Sequence, residues 1–491
     1  MPEFTYDPGD MPGLREKLAR LPEAATFPEF ELERVAVGRD ALLSLPAVLA
    51  ELAGDPGPVI VVQDSTPMRR GGDDLKALVR RLLSDAGWEP HTVVLEAGED
   101  GEAHADEDAV EQVLAELRPG VPVVSVGSGT VTDVAKHACF RFGRDREPLT
   151  LVSCATANSM LAYAAQMAVI SKSGVKRTRP SRLSDALIYD TDILRSAPGH
   201  MVLAGIGDIV PMYVSFGDWY LAYRLGLGSF KEASVDLLAD VRAKLLPYAR
   251  EMGERTPEGM DVLSRLITLS GLTATIAGET APLSGYEHVT GHMLDLAASH
   301  FGRPVGSHGS QVGLAVLPCT VSFNILLEEL DPTAVDVDAC YPSPPAMEER
   351  VRAAFAPIDP SGRMGEECWS DYRKKLEGWH GARPAFESLL ADWERERERL
   401  RELVPPADEC VQAIGDAGLP LRWEDLPVPI PEDEARWAYA NAHLMRDRLS
   451  HADLLHFVGW FDEAFVDRVF TRARELAGAL RPSSPAGPVQ R

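Results

Sequence analysis

Short apolar runs separated by polar, helix-compatible stretches set the rhythm of the chain from about residue 35 to 195. Four runs, Val59-Ile60-Val61-Val62, Thr92-Val93-Val94-Leu95, Val123-Val124-Ser125-Val126 and Ala186-Leu187-Ile188-Tyr189, predict strands of a buried sheet. Between them, Asp73 to Ala86 and Asp106 to Leu117 carry apolar residues at helical spacing, so the alternation predicts an α/β domain with a parallel sheet. After Pro198 the period changes. Stretches such as 229–253 and 260–278 repeat apolar residues at i, i+3 and i+4 with no strand between them, which predicts an all-α second half.

The resulting division is an N-terminal α/β domain over 1–195 and a helical domain over 196–480. Within the latter, 330–435 forms an insertion rich in proline and acidic residues. Its run Trp393-Glu394-Arg395-Glu396-Arg397-Glu398-Arg399 alternates in sign, as on a solvated helix face. The tail from Arg481, Pro-Ser-Ser-Pro-Ala-Gly-Pro, reads as disordered.

Composition narrows the functional classes. Acidic residues outnumber basic ones by 75 to 49 in 491 residues, a net charge of −26, which disfavours nucleic acid or an anionic bilayer as partner. No run of about 20 apolar residues stands out as a membrane span, and the first residues carry no basic, apolar leader, so the expected location is cytoplasmic. Six scattered cysteines without CxxC spacing read as buried, reduced thiols.

Chemistry concentrates in four places. In Val123-Val124-Ser125-Val126-Gly127-Ser128-Gly129-Thr130-Val131-Thr132-Asp133, a strand meets a glycine-rich turn and a helix start, an arrangement that lets backbone N–H groups approach a pyrophosphate. Thr132 stands where a dinucleotide fingerprint has its third glycine, so a tight turn capped by Thr130 reads equally well. Asp64 closes the run Val59 to Gln63, where a carboxylate can accept both hydroxyls of an adenosine ribose and repel a 2′-phosphate; capping the next turn is its other reading. His288 and His292 stand one helical turn apart, with His300 and His308 close behind, and a pair at that spacing can serve one ion or simple packing. Asp208, flanked by Gly205, Gly207 and apolar residues, is either a third ligand or a helix N-cap. An Asp/His/His set would leave an open coordination position, as catalytic rather than structural metals have.

Taken in order, these residues resemble the sn-glycerol-1-phosphate dehydrogenase family of the iron-containing alcohol dehydrogenase and dehydroquinate synthase superfamily. The likeness runs through 127–136, Thr156-Ala157-Asn158-Ser159-Met160, Gly174-Val175-Lys176, Ala204 to Asp208, Tyr213 to Trp219, Ser284-Gly285-Tyr286-Glu287-His288 with His292, and His308 to Gly313, with an echo at Arg446-Asp447-Arg448. It implies a dehydroquinate synthase-like fold, a dinucleotide-binding domain followed by a helical domain, with NAD more expected than NADP and one divalent metal, Zn, Fe or Ni. It also implies Asp208, His288 and His308 as metal ligands and His292 as proton relay. Asp64, Gly127, Ser128, Gly129, Thr130, Asp133, Thr156 and Ser159 are the implied cofactor contacts. Lys176 resembles a lysine that faces cofactor or substrate, or else belongs to a solvated basic loop with Lys172, Arg177 and Arg179.

Three positions depart from the family pattern. Leu161 replaces an aspartate after Ser159-Met160, Met212 replaces a lysine four residues past Asp208, and Ala281 replaces an arginine before Pro282. Two cations and one anion are gone, and a phosphate monoester depends on such cations. The expected activity is therefore a metal-dependent, NAD(P)-linked interconversion of a small alcohol and its aldehyde or ketone, on a less anionic substrate than glycerol phosphate. A synthase-like lyase or cyclase that oxidises only transiently, and a non-catalytic ligand-binding relative, are the alternatives. The expected partners are a small-molecule substrate and further copies of the chain.

Overall fold

The computed structural model describes residues 3–98, 101–172 and 175–480. Two compact units emerge, Met1–Gly205 with Ala233–Glu279, and Ile206–Glu232 with Thr280–Arg491.

The first unit is built on a six-stranded sheet: β1 (Arg34–Gly38), β2 (Pro58–Gln63), β3 (Glu89–Val94), β4 (Val123–Gly127), β5 (Leu151–Ala155) and, after a hairpin of β6 (Met167–Lys172) and β7 (Val175–Pro180), β8 (Ala186–Asp190). The order is β1-β8-β5-β4-β2-β3 and every pairing is parallel. The central strands β4, β5 and β8 are buried at every position, the pattern of a sheet covered on both faces. Helices α1 (Leu75–Asp85), α2 (Glu107–Glu116) and α3 (Gly129–Phe142) cover it, α1 and α2 each started by an aspartate, Asp74 and Asp106, whose side chain caps the first turn. All four sequence-predicted strands and both helices form, whereas β1, β5 and the hairpin went unmarked.

The helical half divides differently from the sequence expectation. Residues 233–279 pack with the sheet unit, because the helix Pro257–Ala277 within them is apolar all round and buried from Gly259 to Ala277 against β1, the helix Thr191–Ser196 and the turn Leu161–Ala164. Asn158 ties the strand-end loop to that helix by donating to the Ser264 hydroxyl at 3.1 Å.

The second unit contains only helices among its described residues. It takes up the last residues of α4 (Gly199–Ile209), then α5 (Ser215–Arg224), α6 (Tyr286–His300), α7 (His308–Glu329) and a run of helices through 344–479 that includes α8 (Trp393–Leu403). Residues 330–435 are helical, as expected. Their alternating run is not a purely solvated face, however: Glu396 is buried, accepting from Arg224 Nε and Nη2 at 2.9 Å each and from the Tyr220 hydroxyl at 2.8 Å. Contrary to the sequence reading, three stretches, 199–224, Pro257–Ala277 and His308–Glu329, are long and apolar enough to cross a bilayer; the latter two are fully buried inside the protein. All six cysteines are buried and unbonded, and burial pushes the thiols of Cys139, Cys154 and Cys410 up to about 12. The tail beyond residue 480 lies outside the described residues.

Candidate active site

In the sheet unit, parallel pairing aligns three strand ends side by side. Gln63 pairs with Val126 and Gly127 with Ala155, so Asp64, the Gly127-Ser128-Gly129 turn and Thr156 emerge together at the carboxyl edge, where open α/β sheets bind ligands. The Thr156 N–H donates to the Gly127 carbonyl at 3.0 Å, which closes the gap between two of them. Helix α3 begins directly at Gly129 after Ser128, with no side-chain cap, and an α-helix leaves its first N–H groups without intrahelical partners. A side chain at Gly129 would meet the Met160 sulfur at 2.7 Å, which explains glycine there apart from any ligand.

Asp64 is buried, and its neighbour Lys76 at the start of α1 was not singled out by the sequence. The Lys76 ammonium donates to Asp64 Oδ1, the Asp64 carbonyl and the Thr66 carbonyl, each at 2.6 Å, and Thr66 Oγ1 donates to Asp64 Oδ2 at 2.8 Å. The carboxylate has about four acceptor positions, so two remain open for hydroxyls, while all three ammonium protons are used.

Asp133 faces inward. Its carboxylate accepts the Val169 N–H at 3.0 Å and lies 4.0 Å from Lys136, whose ammonium is bound by the carbonyls of Ala162, Ala165 and Met167. Burial pushes Asp133 up to about 6 and Lys136 down to about 8, each effect opposed by the other's charge. The pair therefore anchors 162–169, the segment that follows Ser159 and Leu161. Ser159 itself lies beside the Tyr163 hydroxyl. Lys176 lies on β7 opposite Ser171, and its side chain is outside the described residues, as is Gly174.

In the helical unit, glycines let three helices approach closely, two of them backbone to backbone. A Cβ on Gly207 would come within 2.0 Å of the Gly309 carbonyl, one on Gly313 within 2.8 Å of Gly207 Cα, and one on Gly291 within 2.9 Å of Val312. These crossings of α4, α6 and α7 bring Asp208, His288 and His308 together, with donor atoms all within 4.8 Å of one another. Asp208 Oδ1 stands 3.7 Å from His288 Nε2. Asp208 lies in the last turn of α4, which rules out the N-cap reading and places a carboxylate at the negative end of a helix dipole. His300, at the far end of α6, is exposed and packs on Phe301, away from this group.

Nothing in the sequence signalled what orients these three side chains. Glu287 is fully buried; its Oε1 lies 3.0 Å from His288 Nδ1 and accepts the Gly285 N–H at 2.7 Å, while Oε2 has no hydrogen-bond partner. Burial acts to lower the proton affinity of His288, but the Asp208 and Glu287 carboxylates beside it prevail and raise it. That is the potential of a site made for a cation, and an orphaned buried carboxylate behind a ligand histidine fits a divalent ion. The start of α6 is pinned by Asp218, which accepts the Tyr286 N–H at 2.9 Å and His451 Nδ1–H at 2.7 Å, and by Arg448, which donates to the Ser284 carbonyl at 2.8 Å. His292 stacks on His308 at 4.9 Å between ring centres, half-buried.

The chain is similar to several known proteins. The iron-containing alcohol dehydrogenase family model matches residues 36–198. The NAD(P)+ glycerol-1-phosphate dehydrogenase of Bacillus subtilis (strain 168) is 25% identical over 419 residues, 85% of this chain and 89% of that protein. The chain is similar to glycerol-1-phosphate dehydrogenases over most of its length, and residues 36–198 are similar to iron-containing alcohol dehydrogenases. The corresponding enzyme of Aeropyrum pernix is 31% identical over 237 residues, 48% of this chain and 64% of that one. Among solved structures, glycerol dehydrogenase from Schizosaccharomyces pombe superposes with a TM-score of 0.54 at 14% identity, covering 92% of this chain and 95% of that one. A probable glycerol dehydrogenase from Sinorhizobium meliloti 1021 gives 0.52 at 15%, covering 92% and 99%. The fold is thus dehydroquinate synthase-like, and these glycerol dehydrogenases share it.

Proposed function

We propose that the enzyme interconverts a small alcohol and its aldehyde or ketone with NAD, on a substrate less anionic than glycerol phosphate. The observation that carries the substrate reading is Met212. It lies four residues past the ligand Asp208, buried in the turn Val210–Tyr213, at the position where the family pattern has a lysine. Ala281, in place of an arginine, is also buried. A phosphate monoester leaving water needs cations or a bidentate guanidinium, and neither position offers one.

The residues divide the work. Asp208, His288 and His308 would hold a divalent ion, of which Zn, Fe and Ni all suit an Asp/His/His set. Bound there, such an ion would supply Lewis-acid polarisation of an alcohol or carbonyl oxygen, and NAD would supply the hydride acceptor or donor. Glu287 holds His288 in the tautomer that keeps Nε2 available, since Nδ1 donates to the carboxylate. His292, half-buried against His308, would pass the alcohol proton at its ring nitrogens to and from water. In the other unit, Asp64 would accept the adenosine ribose hydroxyls through its two open positions. With every Lys76 proton engaged, no donor there is spare for a 2′-phosphate, which favours NAD over NADP.

The test is a comparison of kcat/KM with NAD+ for glycerol-1-phosphate against uncharged diols and simple alcohols. At least a tenfold preference for an uncharged substrate is expected, and a preference for the phosphate would overturn the reading.

A further inference from the structure

Beside Asp208, His288 and His308 lies a second set of donors. His292, Asp295 and His308 each offer one atom, and these atoms also lie within 4.8 Å of one another. His292 and Asp295 are i and i+3 on α6 and leave one face of it, while His308 opens α7. Asp295 Oδ2 stands 3.8 Å from His308 Nδ1, nearly the 3.7 Å that separates Asp208 Oδ1 from His288 Nε2. Neither separation is a hydrogen bond, which needs about 3.2 Å or less. Two donors each about 2.1 Å from one ion at a tetrahedral angle stand about 3.4 Å apart, so both pairs are spaced to receive an ion between them.

Asp295 is also held in place. With the Gln311 amide oriented so that donors meet acceptors, its nitrogen donates to Asp295 Oδ1 at 2.9 Å and its oxygen accepts the Gly306 N–H at 3.3 Å. One carboxylate oxygen is thereby fixed, and the other is left on the His308 side.

We infer that His292, Asp295 and His308 form a second divalent-cation position that shares His308 with the first and, when filled, withdraws His292 from proton transfer. Nδ1 lies on the Asp295 side, so Nε2 is the nitrogen left for the first set. Filling both positions makes the ring an imidazolate, and its proton leaves to solvent as the second ion binds. The second position is the more open one, with the Asp295 and His308 side chains 23% and 35% exposed against 14% and 9% for Asp208 and His288. Its ion should exchange first.

The inference rests on the metal reading of the first set, and counting ions separates the two failures. Tag-free, full-length protein stripped by a chelator and titrated calorimetrically with Co2+ should bind two equivalents. Asp295→Asn and Asp208→Asn should each bind one, with different Co2+ absorption spectra, and His308→Asn should bind none. Melting curves of the stripped variants that match the stripped wild type exclude misfolding as the cause. One equivalent in the wild type, unchanged in Asp295→Asn, overturns the second position and leaves the first standing. No binding by the wild type overturns both.

Discussion

The Glu287 carboxylate lies 3.0 Å from Nδ1 of His288, so the ring that faces Asp208 is oriented from behind by an acid with no exposure to solvent. Partners of this kind set the tautomer and basicity of a ligand imidazole, and losing one typically weakens metal binding by about 10–100-fold. Glu287→Gln keeps the shape and removes the charge. Its affinity for Co2+ at the Asp208 position should fall within that range, measured by competition with a chelator. Unchanged affinity would mean that Glu287 only fills space.

Gly207 crosses α7 with no room for a methyl group, since the nearest atom, the Gly309 carbonyl oxygen, would be 2.0 Å from it and belongs to backbone. Gly207→Ala must separate the helices that carry Asp208 and His308. The expected cost is about 1–3 kcal/mol in denaturant unfolding, together with weaker metal binding. Gly381→Ala, where a Cβ meets nothing within 4 Å, is the control and should change neither.

Lys76→Met should expose how far Asp64 depends on its partner. The pair is buried at 2.6 Å, and removing one member of such a pair costs about 3–5 kcal/mol. Asp64→Asn keeps a neutral acceptor in place and should instead raise KM for NAD+ and narrow the discrimination against NADP+, read from initial rates with each nucleotide.

Much of this was legible in the sequence, and the exceptions share a physical cause. The buried strands around Val61, Val124 and Ile188 announce themselves because a sheet covered on both faces needs continuous apolar runs, whereas the strand around Val93 is a partly exposed edge. The meeting of Asp208, His288 and His308 was legible through the family pattern they resemble. Glu287 was not, because a glutamate at the start of a helix is also what a helix dipole favours, and only burial distinguishes the two roles. Asp295 and Gln311 meet through tertiary packing, which periodicity does not report. The membership of 257–277 in the sheet unit was hidden for the same reason: an apolar helix shows that it is buried, not against what. Glu396 looked like one of several surface charges until Arg224 and Tyr220 were found around it.

His456 provides an acid-sensitive element away from the site. Burial, reinforced by the charges of Arg350 and Lys375, lowers it from an ordinary 6.5 to about 3. A histidine depressed in the folded state contributes stability that is present above pH 6.5 and is lost as pH falls toward 3, because the unfolded chain takes up the proton first. The loss is about 1.4 kcal/mol per pH unit within that window. Urea unfolding at pH 7 and pH 5 should therefore show a steeper fall for the wild type than for His456→Gln, and equal slopes would exclude the effect.

The proposed function makes turnover depend on Asp208, His288 and His308 and leaves nucleotide binding independent of them. Steady NADH formation by Asp208→Asn tests it most directly, with NAD+ affinity followed by tryptophan fluorescence on the same sample. NADH formation should fall at least a thousandfold, with NAD+ affinity within about twofold of the wild type. Undiminished NADH formation by the variant would contradict it.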